Sequence, residues 1–237
     1  NLIKMNKESI SSHLLELRTR LIRVLICLGI LSVAGIPFAS QIYAFVASPL
    51  LDILPAGSSM IATQVTSPFM APLKLVLFSA LLITMPYLFY EIWMFMSPGL
   101  YKNEKSFVAP LMVSTILLFS AGVVFAYLVV LPIIFKFFIG VAPESIQVMT
   151  DINQYLSFVI KLIFAFGIAF EIPIATFLLI RTGIAKKESL IKARPYLIIL
   201  FFVIGMLLTP PDIFSQLFLA IPMWILFELG LLFSKNK

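Results

Sequence analysis

A single cysteine and a single histidine in 237 residues exclude whole classes of chemistry. Cys27 has no second thiol to pair with, so neither an internal disulfide nor a thiolate metal cluster can form. His13 alone cannot build a histidine metal site, and most histidine general-base mechanisms go with it. No His-Glu-x-x-His, Gly-x-Ser-x-Gly or phosphate-cradling P-loop sequence occurs. Neither an enzyme nor a resident metal or cofactor is expected, so energy for any work must come from a partner or from the membrane potential. Charge is scarce as well. Asp, Glu, Lys and Arg make up 12% of the chain, against roughly 25% in soluble domains. Apolar residues make up 61%. Such a chain is a polytopic membrane protein, expected to be one integral membrane domain over 1–237. The first apolar run follows a charged amphipathic segment and lacks a small-residue cleavage site, so no cleavable signal is expected.

Six apolar runs read as spans: 21–38, 73–95, 107–135, 155–180, 196–209 and 213–233. Lipid offers no partner to an open backbone, so each should be a helix. The fifth run, at 1.5 Å per residue, reaches about 21 Å and falls short of a hydrocarbon core of roughly 30 Å. The tight turn Thr209-Pro-Pro-Asp212 joins it to the sixth. The two are expected to form a short helical hairpin that thins the bilayer beside it. All but three of the 17 Lys and Arg fall in the N-terminal stretch, alternate loops and the C-terminus, the exceptions being Lys74, Lys136 and Lys161. Both termini are therefore expected in the cytoplasm. The net charge of +6 reflects this anchoring. No aromatic-interleaved basic groove points to nucleic acid. On the outer side, 41–54 alternates like a short surface helix with Pro49 bending or breaking it, and the third loop, 140–154, could join it in a cap.

The polar residues inside this apolar sequence are the candidate sites. Glu171 sits in the run 162–180, where Thr176 is the only other polar residue. A carboxylate in a span is expensive and reads as functional. The plainer reading is a protonated carboxyl that ties helices together. Ser11 or Ser12 is a plausible N-cap for the helix leading into the first span. Glu16 and Arg20 stand four residues apart, as an ordinary stabilising pair would. Glu104, in the second basic loop, is either a local salt-bridge partner or, beside Glu16, half of an acidic clamp. Arginine suits such a clamp better than lysine because its planar fork binds carboxylates bidentately. Asp212 reads as the N-cap of the sixth span, and Gln216 lies one turn inside it. Glu91 and Glu228 read as interfacial, and Lys161 can snorkel outward.

Five segments carry a family resemblance: His13-Leu-Leu-Glu-Leu-Arg18, Ser67-Pro-Phe69, Pro98-Gly-Leu-Tyr-Lys-Asn-Glu104, Phe164-Ala-Phe-Gly-Ile-Ala-Phe-Glu171-Ile-Pro173 and Met206-Leu-Leu-Thr-Pro-Pro-Asp-Ile-Phe-Ser-Gln216. In this order across six spans the chain resembles the C subunit of the twin-arginine protein translocase, over essentially its whole length. Gly99 stands where alanine is common in that family. The resemblance implies an all-α fold of six transmembrane helices in a concave, cupped arrangement in the bacterial inner membrane. It implies a receptor for twin-arginine signal peptides of folded cargo, working with single-span TatA- and TatB-type subunits, other copies of itself and membrane lipids, and driven by the proton-motive force. It implies that Glu16 and Glu104, with Arg18, hold the arginine pair. Glu171 and Gln216 would face single-span partners and the peptide's apolar segment, and Pro49 and Asp212 would matter on the outer side. Two other readings stand beside it. One is a proton-coupled secondary transporter using Glu171, and the other is an assembly scaffold without peptide recognition.

Overall fold

The computed structural model describes residues 2–55, 59–96, 105–141, 149–209 and 212–234. They are helical almost throughout, as a chain with its backbone in lipid must be. Helix α1 runs Leu2–Gly35. One 3-10 turn at Ile36–Phe38, with Pro37 in its first positions, leads straight into α2, Ala39–Leu51. There follow α3, Ser67–Met96; α4, Lys105–Phe125; a π-helical turn at Ala126–Val130; and α5, Leu131–Val141. The remainder is α6, Ile152–Ala169; α7, Ile172–Arg181; the short α8, Lys187–Lys192; α9, Arg194–Leu208; and α10, Ile213–Phe233.

Four expectations change. The first helix begins at Leu2, so Ser11 and Ser12 lie within it and not at its N-terminus. The outer surface helix is a continuation of the first span, in one helical run His13–Leu51 of 39 residues. Pro49 lies two residues from the end of that run and does not break it. The fourth span is two helices, because Pro173 cannot donate back to Ala169, and the chain tightens to a 3-10 bond from Glu171 N–H to Ile168 O (2.9 Å) before α7 begins. Shortness belongs to the fifth span alone. Helix α9 has 15 residues, about 22 Å, whereas α10 has 21, about 31 Å, enough to cross.

The chain divides into two compact units, Asn1–Tyr43 with Pro72–Ile116 and Ala44–Ala71 with Leu117–Lys237. In the first, α3 buries Leu75, Val76, Phe78, Met85 and Trp93. The Trp93 indole donates to the Thr115 hydroxyl of α4 (3.3 Å). In the second, helices approach through small residues, as expected where lipid is no less apolar than the helix surfaces. A methyl group at Gly122 would stand 2.5 Å from the Phe166 carbonyl oxygen, and one at Gly230 2.9 Å from Pro173 Cα. Phe119, Leu131, Leu156, Phe166 and Leu219 fill the interior of this unit. Two strands of two residues, β1 (Met60–Ile61) and β2 (Thr150–Asp151), pair in parallel, Met60 with Thr150 and Ile61 with Asp151. They join the two loops expected to meet on the outer side.

Candidate functional site

In the first unit, at the end rich in basic residues, α1 and α3 bring five polar side chains together. Arg20 is their centre. Its Nε and Nη2 donate to Glu16 Oε1 (3.1 and 2.7 Å), and its Nη1 donates to Glu91 Oε2 (2.6 Å). The other Glu91 oxygen accepts from the Tyr87 hydroxyl (2.8 Å), and Arg23 Nη1 lies 3.9 Å from it. Helical spacing of four places Glu16 under Arg20 and Tyr87 under Glu91, so each helix presents a preformed pair to the other. The second oxygen of the half-exposed Glu16 lies 3.9 Å from His13 Nδ1, and the His13 ring lies against Phe95 (centroids 5.0 Å apart). Arg18 is exposed on the same helix. Glu104, the other half of the expected clamp, lies outside the described residues.

The other expected residues belong to the second unit. Glu171 occupies the junction of α6 and α7 as the residue before the first turn of α7, and its carbonyl accepts from Ala175 N–H (2.9 Å). The junction thus places a carboxylate at a turn in an otherwise apolar helical run. Asp212 does cap α10, accepting from Ser215 N–H through Oδ1 (2.7 Å). Gln216 follows within the first turn, donating its N–H to Asp212 O (3.3 Å), and its backbone packs beside Gly205 of α9. At the opposite end of α10, Arg194 Nη2 donates to Glu228 (2.6 Å), and Lys187 donates to Ser234 O (2.7 Å).

Pro49 is buried, and its missing N–H leaves the Phe45 carbonyl without its regular helical donor. Two hydroxyls replace that donor: Tyr127, from the π turn, at 2.6 Å, and Ser48 at 3.0 Å. Tyr155 of α6 donates to the next carbonyl, Val46 O, at 2.9 Å. Nearby, the Asp151 carboxylate knots together the loops that lead into α3 and α6. Its Oδ1 caps α6 through Asn153 N–H (2.9 Å) and Gln154 N–H (3.0 Å), and its Oδ2 accepts from the hydroxyl (2.6 Å) and N–H (3.1 Å) of Thr63. The Thr63 hydroxyl foremost, and the three N–H groups with it, hold this carboxyl below its ordinary value against the opposing effect of desolvation.

Glu91, Asp151 and Tyr127 were not singled out from the sequence as site residues. The first two had a signal. Glu91 is a carboxylate inside an apolar run, the same mark that drew attention to Glu171, and Asp151 is an acid immediately ahead of a helical pattern. Among the described residues no three of His, Cys, Asp and Glu come together as a metal site.

Five helical segments among the described residues are long and apolar enough to cross a membrane, a sixth is shorter, and several polar groups between them are paired by hydrogen bonds. This defines a multi-pass helical membrane protein. Residues 12–222 match the family model described as Sec-independent protein translocase protein (TatC), and the chain belongs to that family. It is 54% identical over 223 residues to the Sec-independent protein translocase protein TatC of Azotobacter chroococcum mcd 1, covering 94% of this chain and 88% of that one. To the protein of the same name from Escherichia coli strain K12 it is 50% identical over 224 residues, covering 94% and 87%. A crystal structure described as Twin Arginine Translocase Receptor- TatC superposes with a TM-score of 0.83 at 37% identity, covering 93% of this chain and 96% of that one. A second, in DDM, gives 0.85 at 36%, covering 94% and 99%. The chain is accordingly a translocase component of the bacterial inner membrane.

Proposed function

We propose that this chain is the receptor subunit of a twin-arginine translocase, binding paired arginines of signal peptides at the basic end of its first unit. Glu16 and Glu104 accept the arginine pair and Arg18 stands beside them. The observation that carries this reading is the Glu16 carboxylate, held in place through one oxygen by Arg20 while the other accepts no hydrogen bond among the described residues. A guanidinium fork fits such a carboxylate better than an ammonium does. Folded cargo then crosses with single-span TatA- and TatB-type subunits, the proton-motive force supplying the energy. Glu171 and Gln216 serve the docking of those subunits and of the peptide's apolar segment, while Pro49 and Asp212 keep the outer side in its working shape.

Export in a host lacking its own C subunit tests this. A folded reporter behind a twin-arginine signal should be exported when this chain is supplied, and lost with Glu16→Ala or Glu104→Ala. Export that survives both changes would contradict the reading. The interrupted helix at Glu171 is also what a proton-coupled transporter would show. Proton-dependent solute flux by the chain alone in proteoliposomes would favour that second reading.

A further inference from the structure

The four side chains Tyr87, Glu91, Arg20 and Glu16 form one hydrogen-bonded row, along which exposure rises from Glu91 to Glu16. Glu91 is 5% exposed, Arg20 18% and Glu16 37%. The innermost carboxylate is therefore the least hydrated and the most dependent on a counter-ion. Only two cations reach it among the described residues, Arg20 at 2.6 Å and Arg23 at 3.9 Å, and Arg23 is mostly exposed. Arg20 accordingly spends its Nη1 edge on Glu91 and its Nε–Nη2 edge on a single oxygen of Glu16. Glu16 Oε2 accepts no hydrogen bond among the described residues and lies 3.9 Å from His13 Nδ1.

We propose that Glu91 is a positioning residue for arginine recognition: by holding Arg20 inward, it keeps the outer oxygen of Glu16 available to a ligand guanidinium. This rests on the reading of Glu16 as a receptor group. The physical reason is competition. Arg20 is itself a guanidinium four residues from Glu16, and nothing in its own helix prevents it from covering both oxygens of that carboxylate. A neutral residue at position 91 no longer attracts the Nη1 edge. Arg20 then swings outward until its Nε–Nη2 edge, now on one oxygen of Glu16, spans both, occupying the place a peptide arginine would take. Removing Arg20 as well takes away the competitor, and Glu16 is open again although its support is gone.

The test is binding to the purified full chain in detergent of two peptides that differ only in a paired arginine or a paired lysine. Glu91→Gln is expected to weaken the arginine peptide about fivefold, the weight of one half-exposed guanidinium–carboxylate contact, with little change for the lysine peptide. The double variant Glu91→Gln/Arg20→Gln is expected to bind the arginine peptide at least as tightly as wild type. A merely structural Glu91 would lower both peptides alike and would make the double variant no better than the single one, and that result overturns the inference. Should Glu91→Gln not fold, the double variant, which buries no unpaired charge, decides alone. Binding at wild-type strength or tighter supports the inference, and weaker binding overturns it. Glu16→Gln separates the two levels. Loss of arginine selectivity there, with Glu91→Gln unchanged, removes this inference alone. Wild-type binding by Glu16→Gln removes the receptor site and this inference together.

Discussion

Pro49 is expected to act through Tyr127, and a double-mutant cycle measures the link. Residue 49 is the regular donor to the Phe45 carbonyl, and proline cannot fill that place. The Tyr127 hydroxyl does so at 2.6 Å, while its ring stacks on Phe45 with centroids 4.8 Å apart. Tyr127→Phe keeps the ring and removes only the hydroxyl. In the native chain it should destabilise by about 0.5–1.5 kcal/mol, the net worth of one hydrogen bond. Ser48, at 3.0 Å from the same carbonyl, keeps the loss in the lower part of that range. With Pro49→Ala in place, the helix supplies the missing N–H itself, and the same change should cost almost nothing. The coupling is then about 0.5–1 kcal/mol, or about 1–4 °C in Tm for a chain of this size. Thermal unfolding in detergent, followed by circular dichroism in the four proteins of the cycle, reads it out. An equal effect of Tyr127→Phe in both backgrounds would refute the account of Pro49.

Glycine at 122 is required by contact, so Gly122→Ala should destabilise by about 1–3 kcal/mol, because its methyl meets the Phe166 backbone, which has no rotamer to move. Gly140→Ala, with nothing within 4 Å, should instead stabilise slightly through helix propensity, and comparison of the two Tm values checks the difference. The Asp151 knot should fail in acid. Its folded carboxyl lies below the ordinary 3.8, so its stabilisation is fully present above that value and is lost as pH falls through the folded pKa. Amide exchange at Thr63, Asn153 and Gln154 should show that loss of protection in the native chain. Asp151→Ala, which keeps no acceptor, should expose these amides at every pH, and continued protection in that variant would contradict the assignment.

Most of the helices and their order follow from uninterrupted apolar runs, since in lipid the backbone has no other solution. Local competition decided what pattern alone could not. The first helix reaches back to Leu2 because nothing between there and the first span breaks it, and a serine pair is tolerated inside a helix. Pro173 splits the fourth span, yet Pro72, Pro86, Pro110 and Pro222 lie within continuous helices, so proline by itself does not locate a break. Asp212 was legible as a cap because it stands between a turn and a long apolar run. The role of Glu91 was not legible, because its partner Arg20 is 71 residues away and only packing brings α1 and α3 together. Likewise Asp151 reads as a local cap, but its bonds to Thr63 cross 88 residues.

The central claim is that the basic end of the first unit recognises paired arginines through carboxylates. Its most direct test is the affinity of the purified chain for a twin-arginine signal peptide beside a twin-lysine control, repeated with Glu16→Ala/Glu104→Ala. Exposed ion pairs contribute up to about 1 kcal/mol each, so two arginines should give a preference of up to about thirtyfold, with the apolar segment of the peptide supplying the remaining affinity. The account predicts that the preference disappears in the double variant while residual binding of both peptides persists. Equal affinity for the two peptides in the native chain, or an undiminished preference in the variant, would contradict it.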